Sequence, residues 1–111
     1  MVNYSYDLMT LHTNQKSFYG KARVYATEDG RDNYYTLHSY WTAVVSVYVG
    51  PDDIPYIKRL WDGYSATTMR HVNELLMQEG FPKLSARAWR AMELDKFYTP
   101  DDVPALEKTL K

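Results

Sequence analysis

The clearest pattern of apolar and polar positions lies between residues 17 and 26, where the two kinds of side chain alternate. One parity is apolar or small, and the other carries Tyr19, Lys21, Arg23 and Tyr25. A period of two residues is typical of a strand that is buried on one face, so this segment is predicted to be a half-buried strand. The polar cluster at residues 28–33 predicts a turn, and the alternating run after it makes the two segments a hairpin.

A second alternating run extends from residue 34 to residue 49, which exceeds the usual length of a strand. We expect it to bend or break between Ser39 and Thr42, so that its far half can pair with a different neighbour. Residues 4–11 alternate weakly and predict an edge strand, and residues 56–61 predict a short strand that returns to the sheet. Strands are therefore expected over about residues 4–61.

Helical spacing replaces alternation after residue 64. Ser65 is a suitable N-cap, and Gly80, followed by an apolar residue and a proline, is typical of a Schellman C-cap. These signals predict a helix over about residues 65–79, and Ser85 begins a second one over about residues 85–95. The first helix has one apolar stripe, made of Met69, Val72, Leu75 and Leu76.

The order of these elements, strands first and helices after them, favours an α+β fold over alternating βαβ units. With 111 residues, the chain has the size of one small domain, covering residues 1–111. We predict a small antiparallel sheet of three to four strands, with two C-terminal helices packed on one face. The C-terminal tail at residues 99–111 is expected to end in a last helical turn over residues 105–110.

Composition excludes several classes of function. The net charge is −1, so no overall field attracts the chain to nucleic acid or to an anionic membrane. The chain has no cysteine, which excludes a disulfide framework and a thiol nucleophile and suits a reducing compartment. No apolar run approaches the roughly 20 residues of a membrane span, and the start lacks the pattern of a signal peptide. We therefore expect a protein with no membrane segment.

Tyrosine is the unusual residue, with 11 copies against 3 phenylalanines. A tyrosine keeps one end in water, so an excess over phenylalanine favours half-buried contact surfaces. The polar parity of the hairpin is the candidate surface, because aromatic rings and cations together can anchor a protein or stack on bases. The alternative is a structural face, either solvated with cross-strand tyrosine pairs or covered by a helix. The predicted partner-binding residues are Tyr19, Lys21, Arg23, Tyr34, His38 and Tyr40.

The start of the first helix is a second candidate site. Free amides and a partial positive charge at a helix N-terminus suit an anion such as phosphate. Ser65, Thr67, Thr68 and Arg70 supply further donors, although no glycine-rich loop with a lysine precedes them. The alternative is an ordinary cap followed by a solvated first turn.

Metal and catalytic patterns are lacking. His12, His38 and His71 match no ligand spacing, and no serine lies in a nucleophile-elbow context. Two Asp-Asp pairs, at residues 52–53 and 101–102, lack the periodic oxygen ligands of a calcium loop. The sequence therefore predicts no metal site, no cofactor and no enzymatic activity.

Three segments resemble a known family when they are taken together. They are Ser-Phe-Tyr-Gly-Lys-Ala at residues 17–22, Leu-His-Ser-Tyr-Trp-Thr-Ala-Val at residues 37–44, and the helix motif at residues 64–81. The helix motif is the most specific and contains Tyr-Ser-Ala-Thr-Thr, Arg-His-Val, Glu-Leu-Leu and Gly-Phe. In this order they resemble an uncharacterised family of small proteins from bacteriophages and mobile elements of gut and lactic bacteria.

The resemblance implies a viral or prophage accessory protein that acts in the cytoplasm of the host cell by binding host machinery. On that basis we expect a non-enzymatic protein that binds a host or phage protein, as an inhibitor of a bacterial defence system in the manner of anti-CRISPR proteins. The alternative function is a small nucleic-acid-binding protein that uses the Tyr/Arg/Lys sheet face. A net charge of −1 disfavours that alternative, because phosphate contacts dominate nucleic-acid affinity. Self-association into a homo-oligomer stays open.

Overall fold

A computed structural model describes residues 1 to 108 of the chain. In this part, six strands form one antiparallel sheet in which each strand pairs with the next along the chain. The strands are β1 (Val2–Asp7), β2 (Ala22–Asp29), β3 (Asp32–Ser39), β4 (Thr42–Val49), β5 (Pro55–Arg59) and β6 (Phe97–Tyr98). The described helices are α1 (Ala66–Gln78), α2 (Ala86–Ala91) and α3 (Val103–Glu107), the last preceded by a 3₁₀ turn at Pro100–Asp102.

The prediction of three to four strands was wrong, because the described residues form six. The long alternating run is two strands, β3 and β4, joined by a tight turn at Tyr40 and Trp41. This confirms the break predicted between Ser39 and Thr42. The hairpin itself was not predicted, because such turns usually contain Asn or Gly and Tyr-Trp offers no such signal. After α2 the chain returns to the sheet as β6, which pairs with only two residues of β5. The class, α+β, is unchanged.

One face of the sheet forms the core. Val24, Leu37 and Val45 lie side by side on β2, β3 and β4, and all three are fully buried. The apolar stripe of α1 packs on this face, chiefly over β3 and β4. The pairing of β3 with β4 shifts register after Leu37, which makes Val44 an extra residue and buries it as well. The opposite face carries the polar parity of the hairpin.

The predicted caps of α1 are confirmed. The Ser65 hydroxyl accepts a hydrogen bond from the Thr68 amide at 3.0 Å. Gly80 has a φ of 83°, and the Phe81 amide donates to the Leu76 carbonyl at 2.7 Å. The C-cap is Glu79, so this bond joins the residue three positions before the C-cap to the residue two positions after it, which defines the Schellman motif. The motif buries Phe81 against the core.

The second helix is shorter than predicted, since α2 ends at Ala91 and Met92 is already extended. The chain leaves the helix there because residues 97–98 return to the sheet edge. The predicted last helical turn over residues 105–110 corresponds to α3 as far as Glu107, and its end falls on residues 109–111, outside the described part. Val103 and Leu106 of α3 are buried in the core cluster. Between residues 1 and 108, no helix has both the length and the apolar composition needed to cross a bilayer.

Candidate functional site

Two tight turns lie side by side at one end of the sheet. In the first, the Lys21 amide donates to the Phe18 carbonyl at 2.9 Å, and the central residues Tyr19 and Gly20 have φ values of 53° and 75°. In the second, Tyr40 and Trp41 have φ values of 51° and 73° and join β3 to β4. The Tyr40 amide donates to the Lys21 carbonyl at 3.0 Å, which ties the turns together.

The three aromatic residues of these turns, Tyr19, Tyr40 and Trp41, are named the turn cluster here. Each adopts a left-handed backbone conformation that costs a residue with a side chain about 1–3 kcal/mol. Their exposed fractions are 73%, 48% and 90%, so little burial offsets that cost at Tyr19 and Trp41. Tyr40 is about half-buried, and its ring centroid lies 5.7 Å from that of the buried His71. Asn or Gly would stabilise both turns better. Fold stability therefore does not account for the large aromatic side chains of Tyr19 and Trp41.

A surface pocket of about 430 Å³ opens beside the turn cluster, and we call it the turn pocket. Besides the cluster it is lined by Gly20, Lys21, Arg23, Tyr25 and His38. Five of the six residues predicted to bind a partner thus lie together, although they come from β2, β3 and two loops. The prediction missed Trp41, because the alternating pattern placed it on the apolar parity of one long strand.

The polar groups of the turn pocket differ in how far they are already engaged. Arg23 donates to Asp7 at 2.7 Å and to Ser5 at 3.0 Å, so its charge is paired on the sheet surface. Lys21 is exposed and forms no ion pair with any residue between 1 and 108. The Nδ1 atom of His38 is buried and has no hydrogen-bond partner in the described chain. Among the described residues, Lys21 is therefore the cation of the pocket that is free to pair with a partner, whereas Nδ1 of His38 is unsatisfied but buried.

The turn between β3 and β4 is anchored from below by buried polar groups. The Ser39 hydroxyl lies 2.8 Å from Nδ1 of His71 and 3.1 Å from the Thr68 hydroxyl, and all three residues are buried. The His71 ring also contacts Phe18, with ring centroids 4.5 Å apart. Burial, with a smaller effect from the nearby Arg70, lowers the pKa of His71 to about 4. The ring is therefore neutral at pH 7, as its buried position requires.

Tyr34 is the predicted partner-binding residue that does not line the turn pocket. It lies on the same open face but farther along the sheet, opposite Thr27 and Tyr48. There it begins a row of rings that crosses β3 to β6, with successive centroids 4.9, 6.1 and 6.3 Å apart. The row consists of Tyr34, Tyr48, Tyr56 and Phe97. Tyr34 and Phe97 are exposed, so this part of the face is uncovered.

The side chains of the four residues of the predicted anion site have different surroundings. Ser65 caps α1, and the Thr68 side chain is buried against Ser39 beneath the sheet. Thr67 is half-buried, whereas Arg70 is exposed and lines a different pocket. The hydroxyl of Thr68 therefore forms a buried hydrogen bond with Ser39.

That different pocket has a volume of about 310 Å³ and lies between α1, residues 12–13 and residues 83–86, and we call it the helix pocket. Its wall contains Glu74, a buried carboxylate that accepts the His12 amide at 2.7 Å and the Gln78 side chain at 2.8 Å. The His12 ring lies 2.8 Å from the same carboxylate. Burial by itself raises the pKa of Glu74, but these hydrogen bonds lower it below its ordinary value. No sequence pattern relates His12 to Glu74, which are 62 positions apart.

Within residues 1–108, no three His, Asp or Glu side chains are grouped so that they could hold a metal ion. The fold and the turn pocket define an α+β protein whose meander sheet leaves one face open and presents aromatic side chains at its end. The chain belongs to DUF8033, described as a family of unknown function, whose sequence model matches residues 6–91. That span contains every residue that lines the two pockets. A family of unknown function agrees with the predicted resemblance to an uncharacterised family. Comparison with curated proteins found no match, and neither did comparison with solved structures.

Proposed function

We propose that this protein is a non-enzymatic binding protein that docks on a partner protein through the turn cluster. The observation that carries the proposal is the conformation of Tyr19, Tyr40 and Trp41, three exposed aromatic residues at positive φ. Strained backbone of this kind persists where the surroundings hold it in place, and it concentrates at functional sites. The hydrogen bonds of Ser39 with α1 supply that support.

The residue types in the turn pocket fit a protein interface. Trp, Tyr and Arg supply most of the binding energy at such interfaces, because each buries a large area and keeps a polar group for the partner. Trp41 is the most exposed of the three and is the expected anchor, seated in an apolar recess of the partner. Lys21, which has no ion pair in the described chain, is expected to face an acidic side chain.

Nucleic acid is the less favoured partner, for electrostatic reasons. Arg23 is already paired with Asp7, which leaves Lys21 as the free cation of the turn pocket among the described residues. Farther along the open face, the Tyr48 hydroxyl donates to Asp32 at 2.6 Å, so a carboxylate lies beside the row of rings. A phosphate backbone that follows these rings would meet that negative charge.

The resemblance of residues 17–81 supports a more specific form of the proposal. In that form the protein is a phage or prophage accessory protein of the host cytoplasm, and its partner is a host or phage protein such as a component of a defence system. A test should therefore use lysate of a lactic or gut bacterium, with and without phage infection.

The decisive experiment removes the aromatic side chains and relieves the strain at the same time. Tyr19→Asn with Trp41→Gly places residues that tolerate positive φ in the two turns. We expect the melting temperature of this double variant to stay level or rise, while capture of the partner from nuclease-treated lysate falls at least tenfold. Ile54→Thr, which removes an exposed apolar side chain from a distant loop, is the matched control and should capture normally.

Three results would contradict the proposal. Equal capture by the double variant and the parent would exclude the turn cluster as the docking surface. Loss of all capture after nuclease treatment would identify nucleic acid as the partner instead. A parent that sediments as a dimer, beside a monomeric double variant, would identify a second copy of this chain as the occupant.

A further inference from the structure

The helix pocket combines an apolar interior with a cationic rim. Its apolar lining comes from both sides, with Met69 and Met77 on α1 and Leu84 on the segment that follows it. Met69 and Leu84 are buried, so they form a floor rather than an exposed patch. A volume of about 310 Å³ is at the lower end for small-molecule sites and is too small for a macromolecule.

Two cations line this pocket, and neither has an ion-pair partner among the described residues. Arg70 and Lys83 are both exposed, and neither forms an ion pair with any residue between 1 and 108. They approach from different elements, since Arg70 lies on α1 and Lys83 on the segment between α1 and α2. An anion held between them would gain a charge-assisted contact from each side.

The one carboxylate in the pocket is already satisfied. Glu74 accepts hydrogen bonds from the His12 amide and from Gln78, and its second oxygen also contacts the His12 ring. Because Nδ1 of His12 faces the Glu74 carboxylate, Nε2 is the ring nitrogen left for a ligand. Nε2 accepts a hydrogen bond when the ring is neutral and donates one to an anion only when the ring is protonated. Glu74 therefore orients His12 as a further polar group at the rim.

We propose that the helix pocket binds a small organic anion, meaning a carboxylate or phosphate monoester carried by an apolar group about the size of one aromatic ring. The apolar group packs on the floor, and the anion lies between Arg70 and Lys83, with His12 as a further contact. Arg70 is the residue that this site shares with the anion site predicted from sequence. The proposal is independent of partner binding at the turn cluster, which uses the other pocket.

Titration of the isotopically labelled chain with phenyl phosphate, followed by NMR, tests this proposal. We expect amide shifts confined to residues 12–13, 64–77 and 83–86, and much weaker effects from phenol and from inorganic phosphate. Arg70→Gln and Lys83→Gln should each weaken binding about tenfold or more, because each removes a charge-assisted contact. Arg87→Gln removes an exposed cation outside the pocket and should leave the affinity unchanged.

Shifts spread over other surfaces, or none at millimolar phenyl phosphate, would overturn the proposal. If phenol bound as tightly as phenyl phosphate, the cations would not contribute to binding. If inorganic phosphate bound as tightly as phenyl phosphate, the apolar floor would not contribute. Retention of full affinity in both Gln variants would also refute it. None of these results affects the test of the turn cluster.

Discussion

The Ser39 hydroxyl and Nδ1 of His71 lie 2.8 Å apart, although the two residues are 32 positions apart in the chain. Ser39 is the last residue of β3, and the strained turn of Tyr40 and Trp41 follows it directly. His71 lies in the middle of α1. This hydrogen bond, together with that between Ser39 and Thr68, therefore connects the candidate binding surface to the helix that packs beneath the sheet.

The burial of His71 predicts a loss of stability in mild acid. The pKa of His71 is about 4 in the folded chain, and its ordinary value of 6.5 applies to the unfolded chain. Between these two pH values, His71 therefore binds a proton mainly in the unfolded chain. Protonation then favours unfolding, and stability present above pH 6.5 is lost as the pH falls toward 4. One pKa unit corresponds to about 1.4 kcal/mol, so melting temperatures between pH 7 and pH 4 should reveal the effect.

The control for this prediction is His71→Gln, whose side chain can still bond to Ser39 but does not titrate. Its melting temperature at pH 7 will be lower, but it should change less with pH in the same window. Glu74 and Glu79 titrate in both proteins, so their effects cancel in the comparison. Parallel curves for parent and variant would show that His71 is not the group responsible.

Leu76 is predicted to be the most sensitive position on the stripe of α1. It is fully buried, and its carbonyl also accepts the Phe81 amide that ends the helix. Leu76→Ala should lower the free energy of unfolding by about 2–5 kcal/mol, because a cavity forms in the core. Urea unfolding measures the change, and Leu11→Ala, at an exposed leucine, should alter it by less than about 0.5 kcal/mol.

Gly63 and Gly80 should respond differently to the same substitutions. A Cβ atom on Gly63 would lie 2.3 Å from the Trp61 ring, so Gly63→Ala should cost about 1–3 kcal/mol through steric overlap. A Cβ on Gly80 would meet nothing within 4 Å, so Gly80→Ala should cost about 1 kcal/mol through its positive φ alone. Gly80→Asn should therefore recover stability relative to Gly80→Ala, whereas Gly63→Asn should not. Thermal melts of the four variants measure this difference. The prediction would be refuted if Asn changed the melting temperature relative to Ala by the same amount at both positions.

Arg59 is predicted to hold three segments together by hydrogen bonds to carbonyl oxygens. Its guanidinium donates to Trp61 at 2.8 Å, to Met92 at 3.0 Å and to Gly63 at 3.3 Å, and it lies 4.9 Å from the Trp89 ring. Arg59→Met keeps the bulk but leaves these acceptors without that donor, which should cost about 2–4 kcal/mol. The midpoint of urea unfolding is the measurement. A midpoint close to that of Arg31→Met, at an exposed turn, would show that the carbonyls find other donors.

Elements specified by neighbouring residues could be predicted closely. Ser65 and Gly80 end α1 where the sequence indicated, because a cap depends on residues within one turn of it. The hairpin of β2 and β3 likewise turns at residues 30–31, inside the predicted polar cluster. Strand parity, also a local property, places Arg23 and His38 on the face that lines the turn pocket. Tyr19, Lys21 and Tyr40 reach the same pocket from turns, which strand parity does not specify.

Prediction failed where a distant contact outweighed the local pattern. The break between Ser39 and Thr42 was predicted from strand length and is confirmed, but the tight turn at Tyr40 and Trp41 was not predicted. Its left-handed conformation depends on the bonds of Ser39 with α1 and of Tyr40 with Lys21. Phe97 and Tyr98 join the sheet only because β5 leaves an edge free beside them.

The sequence by itself therefore determined the class of the fold, the ends of the main helix and the parity of the polar face, since each depends on spacing along the chain. Only the tertiary structure decided the number of strands, the pairing of His12 with Glu74, and the position of Trp41 beside Tyr19. These features depend on contacts between residues far apart in the chain, and the free energy of such contacts is set by which surfaces the whole fold brings together.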